Sequence, residues 1–225
     1  KEGSTINVLT NVLSDSNYNK ETKWSPLLSM PLKLNIDSHN IPSKNVYIKA
    51  NHKRIVNWSK ALMRRKNHKL IGIHWQGNLE FEKKLYNKER SMSFNHFLNL
   101  KQIDGIEFVS LQKGVGQSQL ITNMNLSFVK GQSKFDKSED FRDTAAVIAQ
   151  CDLIISTDSV VVHLAGAMGI TTWVALSWIP EWRWGLKSSK TKWYPSLKLF
   201  RQPSRGDWSS VIKNINVELT KKFGS

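Results

Sequence analysis

The stretch from Cys151 to Leu176 decides the fold and reads CDLIISTDSVVVHLAGAMGITTWVAL. An apolar run over 153–155 is followed by a polar turn, a helical pattern over 160–168 and a second apolar run over 171–176. This order predicts a strand, a turn, a helix and a strand, in which the helix begins where a parallel strand ends.

The start of the predicted helix has the features of an anion site. Asp158 or Ser159 suits the N-cap, because a short side-chain oxygen can accept hydrogen bonds from N–H groups two or three residues further on. Those N–H groups and the helix dipole attract anions, and His163 can share a helix face with Ser159. A capped helix with one satisfied histidine is the alternative at this point. Gly166 would allow close approach of a neighbour, and Gly169 suits the left-handed residue after the helix.

Strands alternate with helices through most of the chain. Further strands are predicted at 69–75, 106–111, 126–129 and 198–200, and helices at 51–65, 91–100, 140–150 and 208–221. The charged stretch 79–90 is predicted to be a loop, 6–9 a short strand, and 24–32, with its two prolines, an irregular segment. The alternation predicts an α/β protein with a Rossmann-like, doubly wound parallel sheet.

Three polar turns follow three of the predicted strands. They are Gln76-Gly77-Asn78, Gln112-Lys113-Gly114 and Thr157-Asp158-Ser159. Because the carboxyl ends of parallel strands meet at one edge of a sheet, we expect these turns to line one crevice. The three turns together indicate a site for a phosphorylated ligand.

The composition is that of a soluble globular protein with a strong positive charge. Of 225 residues, 40% are hydrophobic and 23% charged, and 33 Lys and Arg against 18 Asp and Glu give a net charge of +15. This balance favours anionic partners such as nucleotide phosphates, nucleic acid or a membrane surface. No apolar segment approaches the roughly 18 residues of a membrane span, and Cys151 is expected to be an inert buried thiol. We therefore expect a cytoplasmic protein.

Three segments of the sequence carry a resemblance to a known family. SLQKG at 110–114, DTAAVIAQCDLIISTDSVVVHLAGAMG at 143–169, and EWRWG, WYPSLKLFRQ and GDW in the tail resemble the C-terminal glycosyltransferase region of bacterial tetratricopeptide-repeat proteins. That region is similar to the heptosyltransferase family and, more distantly, to O-linked N-acetylglucosamine transferase. The resemblance implies the C-terminal, donor-binding half of a GT-B fold, in which two Rossmann-like domains face each other across a cleft.

The resemblance implies a binding place for the donor diphosphate at the helix start. The matching residues are Asp158, Ser159 and His163, together with the backbone amides of Val160 and Val161. His163 would donate to a phosphate oxygen or hold Ser159 in place.

The family's polar turn after the first strand of this domain also faces the phosphates. Here it is Gln76, Gly77 and Asn78, and a basic residue followed by Ser or Thr matches Arg90 and Ser91. These residues are therefore expected to bind the donor.

Further residues match the nucleoside side of the family's site. Gln112 and Lys113 follow the strand where relatives contact the nucleoside, and Asp143 and Thr144 begin a helix near the base pocket. One of Trp182 and Trp184 is a candidate for the acceptor cleft.

The resemblance predicts transfer of a sugar from a nucleotide-sugar donor to an acceptor hydroxyl. The acceptor would be a protein, a glycan or a lipid-linked saccharide, and tetratricopeptide repeats are expected in the full-length chain. No Asp-x-Asp pair occurs, so we expect neither a metal nor a cofactor. Residues 1–50 are expected to be a remnant of the acceptor domain and 51–225 the nucleotide-sugar-binding domain. The general base would lie in the missing N-terminal domain.

Three other functions compete with this prediction. A nucleic-acid or polyanion-binding module would use the basic surface, but the basic clusters and the aromatic residues do not interleave, which makes nucleic acid a poor fit. A Rossmann dehydrogenase lacks its glycine-rich turn, since 112–116 is a poor substitute. A catalytically inactive transferase-like scaffold is the third.

Overall fold

The computed structural model describes residues 25–26, 29–37, 39–42, 46–84, 90–120 and 126–224. The chain divides into two compact units, 1–41 and 42–225. The first contains a one-turn helix, α1 (Met30–Lys33), so the stretch 24–32 is helical at its end. Pro31 does not prevent this because proline is tolerated in the first helical turn. The strand predicted at 6–9 lies outside the described residues, and the role of 1–50 as an acceptor-domain remnant stays a prediction.

The second unit alternates strands and helices along the chain. Its elements are α2 (His52–Ala61), β1 (Lys69–His74), α3 (Leu79–Lys84), α4 (Phe94–Phe97), β2 (Ile106–Ser110), α5 (Gln132–Asp136), α6 (Phe141–Ile148), β3 (Leu153–Thr157), α7 (Val160–Ala167), β4 (Thr172–Leu176), β5 (Leu197–Arg201) and α8 (Trp208–Phe223). Two short 3₁₀ turns lie at Gln117–Gln119 and Trp182–Trp184. No helix in the described part of the chain is both long and apolar enough to cross a bilayer.

The five strands form one parallel sheet in the order β2-β1-β3-β4-β5. In its register, Ile73 of β1 pairs with Ser110 of β2 on one side and with Ile155 of β3 on the other. The chain therefore builds outward from β1 to β2 first, and then in the opposite direction from β3 to β5. This arrangement is a Rossmann-like α/β fold, which confirms the predicted fold class at that level.

Helices cover both faces of the sheet, which explains why its inner strands are apolar on both sides. One face packs against α4 and α8, with Phe97 and Ile215 fully buried there. The other face packs against α2, α6 and α7. Cys151 is buried on this second side, which confirms its predicted burial, and burial raises the pKa of its thiol.

Three local predictions need correction. The stretch 79–90 begins with α3 instead of a loop, because Asn78 Oδ1 accepts from Glu80 N at 3.0 Å and acidic residues occupy the first turn. The stretch 91–100 is α-helical only over α4, since the N–H groups of the next residues bond to carbonyls three residues back. The stretch 126–129 makes only an isolated parallel bridge, Phe108 to Phe128, before the chain turns into α5.

Candidate functional site

The candidate site lies at the point where the strand order reverses, between the carboxyl ends of β1 and β3. Gln76 and Gly77 follow β1, and Asp158 and Ser159 follow the neighbouring β3. In open α/β sheets, ligands bind in the crevice at this topological switch point. The strand order thus brings together the two predicted polar turns that flank the switch, and β2 places the third turn on the other side of β1.

Gln112 joins the turn after β2 to the turn after β1. Its Oε1 accepts from Trp75 N at 3.2 Å and Gln76 N at 3.0 Å, and its Nε2 donates to Gln76 O and Val115 O, both at 2.8 Å. The buried amide therefore acts as a brace between two loops. Its predicted contact with a nucleoside stays a prediction.

Gly77, Arg90 and Ser91 meet at a buried carboxylate that sequence analysis missed, Glu82. Gly77 N donates to Ser91 Oγ at 2.8 Å, and Glu82 accepts from Ser91 N at 3.0 Å and from Ser91 Oγ at 2.6 Å. Arg90 Nε lies 3.7 Å from Glu82 Oε1. The predicted turn and the predicted Arg-Ser pair are thus held together. Asn78 caps α3 at the outer end of the same turn.

Asp158 is a buried carboxyl surrounded by charged groups. Burial raises its pKa, while the Trp184 indole, Arg90 and Arg183 act in the opposite direction. The influence of Arg90 links the turn after β1 electrostatically to the turn after β3. Asp158 therefore lies within the same cluster as the Arg-Ser pair.

Ser159 occupies the N-cap position of α7, but the predicted side-chain cap is wrong. Its hydroxyl lies 3.2 Å from Ser156 Oγ, and it makes no hydrogen bond to the first-turn amides. Ser156, at the end of β3, competes for the hydroxyl. Because the first N–H groups of a helix have no intrahelical acceptor, the amides of Val160 and Val161 need another partner. The Val160 side chain is exposed, whereas the Val161 side chain is buried in the core.

His163 is held on two sides by aromatic residues. Its Nδ1 lies 3.1 Å from Tyr194 Oη, and its ring stacks on Trp184 at 5.3 Å between centroids. Burial lowers its pKa, as do Arg183 and Arg90, against an opposing influence of Glu181. No hydrogen bond joins His163 to Ser159, whose hydroxyl lies against Ser156 Oγ, so the role of His163 in holding Ser159 stays a prediction. Of the two acceptor-cleft candidates, Trp184 is buried beside this histidine and Trp182 is exposed.

The loop that carries Trp184 is fixed by Arg201. The Arg201 guanidinium donates to the carbonyls of Trp184, Gly185 and Ser188 at 2.6–3.0 Å. Because one side chain donates to three backbone carbonyls of the loop, it holds the loop in a single arrangement. Trp184 is thereby positioned against His163.

The predicted nucleoside residues form a separate group with their own partners. Lys113 Nζ donates to Phe135 O and lies 3.7 Å from the Phe135 ring centroid, and burial lowers the pKa of Lys113. Asp143 pairs with Arg54 and accepts from Ser138 Oγ at 2.7 Å. Thr144 is buried. A depression of about 720 Å³ opens beside Asp143, and its rim carries Lys53, Arg54, Lys60 and Lys134.

Several buried polar atoms around the crevice have no hydrogen-bond partner among the described residues. They are His74 Nδ1, Gln76 Nε2, Arg90 Nε, Thr157 Oγ1 and Trp184 Nε1. Trp184 Nε1 approaches the Asp158 carboxyl closely enough to lower the pKa of that group, but without hydrogen-bond geometry. An unpaired buried polar atom costs about 1–3 kcal/mol, so a cluster of them is commonly completed by water, an ion or a ligand. The N–H groups of Arg90 and Trp184 lie near Asp158 and are donors without a hydrogen bond, which suits a ligand that accepts hydrogen bonds, whereas Gln76 Nε2 lies on the other side of the turn, against Gly116 and Gln119.

The described residues contain no group of three His, Cys, Asp or Glu side chains that could hold a metal ion. The expectation that the site works without a metal stays a prediction.

Together, the fold and the crevice define a Rossmann-like α/β protein with a donor-rich site at its switch point. No family model and no solved structure matches the sequence. The chain is similar to protein FlbA of Caulobacter vibrioides, with 24% identity over 208 residues, which cover 90% of this chain and 34% of FlbA. The chain thus spans about a third of that relative's length.

Proposed function

We propose that this chain is the donor-binding half of a GT-B glycosyltransferase, which transfers a sugar from a nucleotide-sugar to an acceptor hydroxyl. The observation that carries the proposal is the group of N–H donors without hydrogen-bond partners at the switch point, with two arginines close by. Arg90 Nε and Trp184 Nε1 are buried without a hydrogen bond, both groups influence Asp158, and Asp158 directly precedes the first residues of α7. A diphosphate can accept hydrogen bonds from such donors and is attracted to the N-terminus of a helix.

The reaction builds negative charge on the leaving nucleoside diphosphate. Arg90 and Arg183 both act on Asp158 and on His163, so both guanidinium groups lie near the start of α7. Fixed cations and backbone amides in this position would stabilise the charge that develops on the β-phosphate oxygens. These groups supply the charge that a divalent metal supplies in other transferases. The acceptor and the general base would come from a facing domain.

A thermal-shift panel of nucleoside diphosphates and their sugars tests this proposal. A ligand that binds only the folded state adds about 2.7 kcal/mol of stability at a concentration 100 times its Kd. We expect at least one nucleoside diphosphate to raise the melting temperature and the parent nucleoside to raise it far less. If no nucleoside diphosphate raises the melting temperature, the proposal is contradicted.

Arg90→Gln is the matched variant for the same panel. It removes the guanidinium whose Nε is buried without a hydrogen bond, 3.7 Å from Glu82 Oε1, so we expect the diphosphate shift to fall strongly. Arg142→Gln is the control, because Arg142 is exposed on α6 and pairs with Asp140. Equal melting-temperature shifts in the two variants would show that the anion does not bind in the crevice. Binding measured with and without EDTA tests metal independence: affinity that disappears on chelation contradicts it.

The basic depression beside α2 supports a second candidate, a polyanion-binding surface. Four cationic side chains line its rim. This function predicts affinity for single-stranded nucleic acid that falls steeply with salt concentration and is weakened by Lys53→Gln with Lys60→Gln. The crevice variants Ser159→Ala and His163→Ala would leave that affinity unchanged. If neither nucleic acid nor a nucleotide binds, a transferase-like scaffold is favoured.

A further inference from the structure

Tyr194 meets His163 with both its hydroxyl and its ring. Oη lies 3.1 Å from His163 Nδ1, and the two rings meet edge to face with centroids 5.7 Å apart. On another side, Trp184 stacks on the imidazole with only 20° between the ring planes. The imidazole therefore has one defined orientation.

The Tyr194 ring is itself fixed by direct contact with the backbone of α7. A Cβ built on Gly166 would lie 2.5 Å from Tyr194 Cγ, so the ring occupies the space that any other residue would need. The rest of the ring packs with Val162, Leu197 and Leu199. Gly166 follows His163 by one turn of the helix, which explains how the hydroxyl reaches the imidazole.

The partners of the two ring nitrogens of His163 decide which nitrogen carries the proton. A neutral imidazole has one N–H donor and one acceptor nitrogen, and the partner of one nitrogen decides which form is present. Nδ1 faces the Tyr194 hydroxyl, whose single proton can be donated either to Nδ1 or toward Tyr47. Nε2 has no partner among the described residues and is not sealed from solvent.

The charged groups around His163 favour the neutral ring. Arg183 and Arg90 disfavour a further positive charge, Glu181 acts in the opposite direction, and burial lowers the pKa most. Because burial and the two arginines keep the ring neutral, the ring is suited to act as an uncharged hydrogen-bond donor.

We propose that Tyr194 is a positioning residue: it donates its hydroxyl proton to Nδ1 of His163 and so keeps the ring proton on Nε2, where the neutral imidazole donates to an anionic oxygen of the donor diphosphate. This inference rests on the proposed function for the identity of the anion. The opposite tautomer would direct the Nε2 lone pair at an anionic oxygen, which is repulsive.

Tyr194→Phe is the direct test, because phenylalanine keeps the ring on Gly166 and removes only the hydroxyl. In ¹⁵N-histidine-labelled protein, two-bond ¹⁵N–¹H spectra report which nitrogen of His163 carries the proton, with His163→Gln used for assignment. We expect the Nε2–H form in the parent protein and a mixture of tautomers in the variant. The pKa of His163 should rise in the variant, because a donor to Nδ1 that favours the neutral ring has been lost.

Binding of nucleoside diphosphates supplies the second readout. Loss of the orienting hydrogen bond should weaken the Kd about tenfold, while Arg142→Gln, an exposed change on α6, should leave the Kd unchanged. An Nδ1–H tautomer in the parent protein, or the same tautomer and Kd in Tyr194→Phe, would overturn the positioning role. A parent protein that binds no nucleoside diphosphate would overturn the proposed function, and the spectra would still decide the tautomer.

Discussion

At the scale of single residues, Glu82 is the side chain on which the turn after β1 depends. It is a buried acid whose two oxygens accept from the backbone and hydroxyl of Ser91, with Arg90 close by. Ser91 in turn accepts from the amide of Gly77. One carboxylate thus orders residues from two segments that would otherwise be independent loops.

Glu82→Gln should destabilise the protein and weaken anion binding. The amide keeps the size of the side chain but replaces one acceptor with a donor facing Ser91, and a buried mismatch of this kind costs about 1–3 kcal/mol. Chemical denaturation and nucleotide titration measure the two effects. Glu80→Gln, an exposed change of the same type on α3, should alter neither. Equal behaviour of the two variants would contradict the proposed role of Glu82.

The residue scale also shows where sequence reasoning ends. The helix start with Asp158, Ser159 and His163 can be predicted, because a strand end followed by a helix pattern is a local signal. The direction of the Ser159 hydroxyl cannot be predicted, since it depends on the contact between this hydroxyl and Ser156 Oγ. Glu82 and Tyr194 were missed because their roles require segments that meet only in the folded chain.

At the scale of elements, the main feature of α7 is the close approach of the segment that carries Tyr194. Gly166 leaves room for the Tyr194 ring, and Gly169 ends the helix with φ of 71°. Both roles were predicted from sequence, although the neighbour itself was not. The tyrosine comes from the segment before β5, 31 residues after His163.

Gly166→Ala should lower the free energy of unfolding by about 1–3 kcal/mol, as expected for an overpacked contact. The added methyl would meet the Tyr194 ring at 2.5 Å, so the ring or the helix must move. Thermal or urea unfolding measures the loss. In the double variant Gly166→Ala with Tyr194→Ala, the loss should be smaller than the sum of the two single losses. Strict additivity would mean that the clash is absent.

The elements predicted best are those with strong local patterns. Strands β1 to β5 lie within one or two residues of the apolar runs that predict them, because β-branched runs bounded by polar turns are unambiguous. The stretch 79–90 was mispredicted because its charge resembles a loop, while its helix depends on the cap at Asn78.

At the scale of the whole molecule, stability should depend on pH through a histidine in the sheet. Burial lowers the pKa of His74, at the end of β1, to about 4. The unfolded chain binds its proton near pH 6.5, so between these values the unfolded state holds a proton that the folded state lacks. The stabilising contribution is complete above about pH 6.5 and is lost as the pH falls toward 4.

Urea unfolding at a series of pH values measures this dependence. The parent protein should lose up to about 3 kcal/mol from His74 across the window, whereas His74→Leu should lose correspondingly less. His163 and Asp158 titrate in both proteins, so they cancel in the comparison. His52→Leu, an exposed change, is the control and should follow the parent. Parallel curves for the parent and His74→Leu would exclude the histidine as the cause.

The bridge outside β2 has a consequence for how copies of this protein behave together. Phe108 N donates to Ser127 O at 2.8 Å and Phe108 O accepts from Val129 N at 2.9 Å. The middle of this border strand is therefore occupied by the chain's own backbone, and a foreign strand would have to displace it before it could add to the sheet. The short segment 127–129 therefore makes the addition of another copy's strand at this edge of the sheet less favourable.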